Sequence, residues 1–289
     1  MDYVGHAGRP DLGGDDAARA FFRRIDAELL RGAWFAHAPG APLFSGLIDY
    51  GAWRGRRVLE VGCGLGAVAG ELARGGARLT ALDLTWTGAS AAARRFCLDH
   101  TRASAVQADA ERLPFADQSF DAVWSWGVIH HATTPSRAVA EIHRVLRPGG
   151  ELRMMVYNRH SFYNWVTILL RHGILRLELL RHPMQELWNR YSDARAIGGC
   201  PRVAYFTATG LRTLLADFDV VDVRAFEQKS ALTRFAPAAW RRSLEPLIPA
   251  ALMHALFGRF GLLLYARARK PGPPHVTEHS AAPGLRRRE

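Results

Sequence analysis

Lysine is nearly missing from these 289 residues: Lys229 and Lys270 are the only two, so almost all the positive charge is arginine. Acidic residues are also in the minority, with Lys+Arg 38 against Asp+Glu 27 and a formal net charge of +11. A surplus of this size raises nucleic acid, anionic lipid and acidic substrates as partners. Its distribution argues for a blander reading. Residues 57–150 carry ten arginines against nine acids, so the centre of the chain is close to neutral. The excess lies in the segment after it and in the tail from Arg267. An arginine bias spread this widely reads as a compositional habit and not as a local binding patch.

Cysteine is scarce too. Cys63, Cys97 and Cys200 are too few and too scattered for a disulfide framework, and none shows metal-ligand spacing. No apolar run is long enough for a membrane span, so no stable membrane insertion is expected. The opening Met1-Asp2-Tyr3-Val4-Gly5 lacks the basic and apolar segments of a signal peptide, and a cytoplasmic location is expected. What remains is an ordinary globular composition, 48% apolar and 22% charged, on a chain long enough for one elaborated domain.

The informative stretch is Arg57 to Gly66. Val58, Leu59 and Val61 form the apolar run of a buried parallel strand. Gly62, Gly64 and Gly66 follow at once, where a chain can turn tightly and let a ligand approach the backbone. Ala67 to Arg74 suits a helix whose N-terminus faces that ligand. Ala67 satisfies the third position of a dinucleotide fingerprint literally, but a lone match is weak. Further motifs follow in order. Glu60 stands two residues before the first glycine. Asp83 ends a second strand, Leu79 to Leu82, and Ala108-Asp109-Ala110 follows a third. Phe120 to Trp124 reads as a fourth, and Arg147-Pro148-Gly149-Gly150 turns into a fifth, Glu151 to Val156.

This ordered set resembles the class I S-adenosylmethionine-dependent methyltransferases, in particular the small-molecule branch related to ubiquinone and menaquinone biosynthesis enzymes. The resemblance is close over residues 57–158 and loose outside them. It implies an α/β fold: a seven-stranded, mostly parallel Rossmann-like sheet, an N-terminal helical cap, and a helical insert after the fifth strand. The expected divisions are a cap over 1–52, a cofactor-binding core over 53–160, an insert or substrate lid over 161–206, completion of the sheet over 207–270, and a disordered tail over 271–289. In the cap, a helix is expected from Asp15 or Asp16, one of which would cap it, to Arg31. Its stripe Phe21, Phe22, Ile25 and Leu29 would dock against the sheet. Further helices are expected over 43–53, 88–100, 135–146, within 161–181 and over 207–216, with late strands over 218–226 and 260–268.

The resemblance also assigns roles at the cofactor site. Gly62, Gly64 and Gly66 would admit the ribose and methionine portions, with Cys63 chosen for its size. Asp83 would accept hydrogen bonds from both ribose hydroxyls, and Leu84 would lie under the adenine. Asp109 would accept from the adenine amino group, and Ala110 would offer a backbone N–H to a ring nitrogen. Glu60 would order the loop and reach the methionine end. Carbonyls at Ser125 and Trp126 would meet the methionine ammonium. Singly, Asp83 reads equally well as a helix cap and Asp109 as a turn residue; their joint placement favours the cofactor. The turn Arg147 to Gly150 and the absence of a dehydrogenase constellation disfavour NAD.

Methyl transfer needs an in-line geometry and, for an oxygen or nitrogen acceptor, removal of a proton. His130 and His131 follow the fourth strand at its carboxyl edge, and His131, further into the turn, is favoured as a base. Tyr157, Asn158, His160 and Tyr163 leave the fifth strand at the same edge; Tyr157 and His160 join the catalytic candidates. Adjacent histidines with no carboxylate partner in view do not suggest a metal. The acceptor is expected to be a small aromatic, hydrophobic or natural-product-like molecule, methylated at oxygen, nitrogen or carbon. A nucleic-acid methyltransferase is the alternative. It is disfavoured because the Asn/Asp-Pro-Pro-Tyr/Phe position reads Ser125-Trp126-Gly127-Val128, and no nucleic-acid partner is expected. A cofactor-binding scaffold without turnover also fits these residues. The oligomeric state is not legible.

Overall fold

The computed structural model describes residues 13–193, 199–228, 230–233, 240, 243–244 and 247–272. The first twelve residues of the expected cap, residues 194–198 of the insert and the tail beyond Gly272 lie outside them. Strands β1 (Arg57–Val61), β2 (Arg78–Asp83), β3 (Ala103–Gln107), β4 (Phe120–Trp126), β5 (Leu146–Asn158), β7 (Asp219–Phe226) and β8 (Leu263–Arg269) form one sheet in the order β3-β2-β1-β4-β5-β8-β7. A two-residue strand, β6 (Tyr205–Phe206), pairs with β5 at its end, so the expected seven strands become seven and a short eighth. The first five are parallel, and β8 runs antiparallel to both β5 and β7.

Sequence and topology agree on the centre. Val58 to Val61 are all buried, as a strand covered on both faces requires. The chain winds outward from β1 through β2 to β3, then returns to place β4 on the other side of β1. That reversal opens a crevice at the carboxyl ends of β1 and β4, where doubly wound sheets receive ligands.

Helices α1 (Asp15–Gly32), α2 (Ala67–Arg74), α3 (Trp86–Leu98) and α4 (Pro135–Val145) follow the expected pattern closely. At α1 neither aspartate caps: Gly14 is the cap residue, and Asp15 and Asp16 fall in the first turn, where acidic charge suits the helix dipole. Phe21, Phe22 and Ile25 of the α1 stripe pack with Leu65, Ala91 and Leu98, on the glycine loop and α3, while Leu29 packs against the main core that includes the sheet. Arg95 of α3 holds α1 there, buried over the Phe22 ring and paired with Asp26.

Residues 43–53 are a succession of turns and not a helix. Leu43, Phe44, Leu47, Ile48 and Trp53 are nevertheless buried. Pro42, Gly46 and Gly51 break the run, and Gly46 sits so close to the Ala36 carbonyl that a Cβ would lie 2.8 Å from its oxygen. The apolar content that suggested a helix serves a packed loop.

After β5 the insert forms a π-helix (Tyr163–Leu175), a 3-10 turn (Glu178–Leu180) and α5 (Met184–Tyr191). Then come α6 (Ala208–Leu214), capped by the Thr207 hydroxyl on Gly210 N–H at 2.9 Å, and α7 (Ala250–Phe257) before β8. No helix among the described residues is long and apolar enough to cross a membrane.

Candidate active site

The crevice floor begins at the glycine loop. Gly62 has φ +76°, and a Cβ there would overlap the Val128 side chain. Glycine is therefore required twice over, by backbone conformation and by the close approach of the β4 turn. Gly64, φ +50°, faces open space: a Cβ there would meet nothing within 4 Å. Here the bare backbone lines the crevice. Gly66 caps α2 in the left-handed conformation.

Asp83 ties the loop to the second strand. Its Oδ2 accepts from Gly64 N–H at 2.9 Å, and Oδ1 accepts from Thr85 N–H at 2.9 Å and the Thr85 hydroxyl at 2.7 Å. Thr85 in turn caps α3 on Gly88 N–H at 3.0 Å. The helix-cap reading of Asp83 thus holds indirectly, through Thr85, alongside its position at the crevice. Three of the roughly four lone-pair sites of the carboxylate are in use, so a pair of ribose hydroxyls would share it with the loop. Leu84 beside it is 66% exposed and Trp86 is 62% exposed, an apolar shelf next to a carboxylate. Asp109 is exposed and accepts from Glu111 N–H at 2.8 Å, the local turn its sequence allowed. Ala108 N–H donates to Asp83 carbonyl at 2.9 Å, which brings Asp109 and Ala110 next to that shelf.

Under the loop, Glu60 is buried, with Oε2 lacking any hydrogen-bond partner. Desolvation drives its carboxyl well above the ordinary range, against the Ala69 backbone and Arg95, which favour the charge. The Ser125 hydroxyl, on the neighbouring strand, is likewise buried and unpartnered. Trp126 stacks on Trp124 at 5.4 Å and packs against Phe44 at 4.2 Å. Burial also pushes the Cys63 thiol far up, which makes it an inert filler in keeping with its expected role.

A second group gathers at the carboxyl ends of β4 and β5. The His130 ring is fully buried, stacks on Tyr157 at 4.1 Å and lies tilted against His131 at 4.2 Å, both centroid to centroid. Neither ring nitrogen of His130 has a hydrogen-bond partner. Desolvation lowers its pKa well below 6.5, helped by the neighbouring His131 and opposed by Asp193. His131 is half-buried, with Nδ1 3.0 Å from the Arg202 carbonyl oxygen and Nε2 3.3 Å from Asp193 Oδ2. The Tyr157 hydroxyl donates to both oxygens of Asp193, at 2.8 and 2.7 Å. Burial raises the Tyr157 pKa, and the Asp193 charge raises it further, so the phenol stays protonated.

Asp193 is the member of this cluster that sequence reasoning missed. It comes from the end of the insert, 36 residues after Tyr157, with no spacing signal to link it to the β4 turn. His160 does not join the group: it is exposed, and its backbone N–H is held by Asn158 Oδ1 at 3.0 Å. The earlier ground for dismissing a metal, the lack of a carboxylate, also falls. One donor atom each from His130, His131 and Asp193 lies within 4.8 Å of the others. His131 and Tyr157 already satisfy Asp193, and His130 joins them through ring contacts alone. A separate concavity lined by Arg57, Arg78, His100 and Arg102 opens at the opposite, amino ends of the strands and takes no part in this site.

Residues 59–154 match the model of a methyltransferase domain family. The chain is 41% identical over 101 residues to a malonyl-[acyl-carrier protein] O-methyltransferase from Enterobacter lignolyticus, covering 35% of this chain and 39% of that one. It is 30% identical over 154 residues to a ubiquinone biosynthesis O-methyltransferase from Alkalilimnicola ehrlichii, covering 50% and 62%. The chain thus spans less than two thirds of the length of these curated relatives. Among solved structures, a SAM-dependent methyltransferase from Methanosarcina mazei superposes with a TM-score of 0.53 at 20% identity, over 81% of this chain and 99% of that one. The fold likeness covers more of the chain than either the family match or the sequence likeness. The glycine loop, Asp83, Asp109 and the β4 turn all fall inside the matched residues. Tyr157, His160 and Asp193 fall outside them.

The buried His130 makes one prediction about stability. Its folded pKa lies below its unfolded value, so the unfolded chain binds the extra proton as pH falls. Stability from the neutral ring is present above about 6.5 and is lost as pH falls through the interval down to the folded pKa. His130→Phe keeps the stack on Tyr157 and removes the titration. The difference in melting temperature between parent and His130→Phe should therefore shift in favour of the variant between pH 7 and pH 5. A pH-independent difference would show that His130 does not titrate in this window.

Proposed function

We propose that this chain transfers a methyl group from S-adenosylmethionine to a small-molecule acceptor. The observation that carries the reading is the crevice at the β1/β4 reversal, where Gly64 leaves bare backbone beside the Asp83 carboxylate and the exposed Leu84. The donor set fits the cofactor. Asp83 would take the ribose hydroxyls, Leu84 and Trp86 would seat the adenine, and Asp109 and Ala110 would meet its polar edge. Glu60, with its unpartnered oxygen, and Ser125 lie on the side suited to the methionine portion. The cofactor supplies an already activated methyl carbon on a sulfonium. The protein's own contribution is to hold the acceptor in line with it, exclude water and receive a proton where the acceptor carries one.

The acceptor site in this reading lies between the cofactor, the His130-His131 turn and the insert over 161–206, which acts as its lid. Asp193 supports that division, because it reaches from the insert to His131 and Tyr157. The packed aromatic rings of Tyr157, Tyr205 and Trp188 favour an apolar or aromatic acceptor. The relatives named above act, by their names, on a malonylated carrier protein and in ubiquinone biosynthesis. These names suggest oxygen as the methylated atom here.

Turnover tests the reading. Incubated with S-adenosylmethionine and a panel of phenolic, enolic and carboxylic acceptors, the protein should release S-adenosylhomocysteine only when a matching acceptor is present. Tight cofactor binding with no product across such a panel would favour the scaffold reading. Methylation of nucleic acid in preference to every small molecule would overturn the substrate class. Exchanging residues 161–206 for the corresponding segment of a relative should change acceptor choice and leave cofactor affinity within a few-fold.

A further inference from the structure

We infer that the outer face of the insert, continued by α7, docks on an anionic lipid surface. The inference does not depend on the methyl-transfer reading. On the π-helix, Trp165, Leu170 and Ile174 are exposed at intervals of four to five residues, the spacing of a single face where bonds run i to i+5. The stripe continues past the helix end. Leu175 is 71% exposed, Leu177 61% and Leu180 79%. Phe162 then joins the stripe to α7. Its N–H donates to the Phe260 carbonyl at 2.8 Å, and its ring contacts Phe257 at 6.4 Å. Helix α7 contains no Asp, Glu, Lys or Arg, and Leu252 and Leu256 are exposed on it beside Phe260. A contiguous apolar face of this breadth is uncommon on a free globular surface and marks an interaction site.

Charge identifies the occupant. Arg171, Arg176 and Arg181 stand exposed along the same segment, and Arg259 lies over the Phe260 ring at 6.0 Å. None of the four takes part in an ion pair among the described residues. The only acid between residues 162 and 183 is Glu178. It is turned inward, accepting from the Tyr191 hydroxyl at 2.9 and 2.8 Å and facing His172. Pairing this face with a second copy would set these arginines against one another. An anionic bilayer surface instead answers both features, receiving the leucines and Trp165 at the headgroup boundary while the guanidinium groups meet phosphates. No helix among the described residues is built to span, so the association is peripheral.

Sedimentation of the full chain with vesicles tests this. Vesicles of equal phosphatidylcholine and phosphatidylglycerol should bind the protein at about 0.05 M salt and release most of it at about 0.5 M. Vesicles of phosphatidylcholine alone should bind it weakly. Arg171→Gln/Arg176→Gln should lower partitioning roughly thirtyfold, and Ile174→Ser/Leu175→Ser should lower it at least tenfold, both with melting temperatures close to the parent's. Partitioning that is absent in the parent, or equal in parent and both folded variants, would overturn the inference. So would a vesicle-independent dimer dissolved by Ile174→Ser/Leu175→Ser, or binding to an acidic carrier protein with none to vesicles; these would give the face to another occupant.

Discussion

Replacing Asp83 by alanine should cost the protein most of its affinity for S-adenosylmethionine. The carboxylate sits between the loop and the second strand, with one oxygen on Gly64 N–H and the other on Thr85. A charge-assisted hydrogen bond is worth roughly 1.5–3 kcal/mol, or about one to two orders of magnitude in Kd for each bond lost. With two ribose hydroxyls as partners, calorimetry should show a loss of about 10²–10⁴-fold. Part of the loss would be indirect, since Gly64 N–H would lose its acceptor and α3 its tie to the loop. Asp83→Asn separates the two contributions only partly, because its amide nitrogen would face the Gly64 donor if its oxygen stayed on Thr85. Leu84→Ala, at an exposed position making no such bond, should leave the loop intact and weaken binding by about tenfold or less through lost contact with the base. Unchanged affinity in Asp83→Ala, or tight NADH binding by the parent, would remove the cofactor assignment.

The parts of this site that were legible in the sequence are those that a local run encodes. Val58 to Gly66 announces a buried strand and a loop that must turn tightly, and the reasons for its glycines are local or nearly so. Asp83 was legible by its place at a strand end, though not its bond to Thr85. The helix expected over 43–53 failed because apolar content alone does not separate a helix face from a buried turn. There Gly46 must lie against the Ala36 carbonyl, a contact no periodicity reveals. Asp193 was illegible for a different reason. Its partners His131 and Tyr157 are 62 and 36 residues away and come from separate elements. Only the path of the insert back over the sheet edge brings the three together. His160 shows the converse: it leaves the same strand as Tyr157, yet its side chain ends exposed.

The turn histidines carry the second large effect. Sequence position favoured His131 as the base, but both of its nitrogens face acceptors, the Arg202 carbonyl and Asp193. An acceptor molecule would have to displace Asp193 to reach Nε2. His130 instead keeps two unpartnered nitrogens, and burial holds the ring neutral. Removing the base should cut turnover by about 10²–10⁴-fold with little change in cofactor affinity, and the pH dependence tells the two rings apart. A base must be unprotonated to act, so activity rises with pH through its pKa. If His130 is the base, its lowered pKa places that rise below the usual histidine range, and the rate should be flat across pH 7–8. His130→Ala would then lose the acidic limb, while His131→Ala would keep it and lose acceptor affinity as Asp193 and Tyr157 rearrange. If His131 is the base, the pattern reverses. Should the limb survive in both histidine variants, neither ring takes the proton. Positioning by the Tyr157–Asp193 pair and the insert would then remain as the protein's contribution, as an acceptor that arrives without a proton to lose would require.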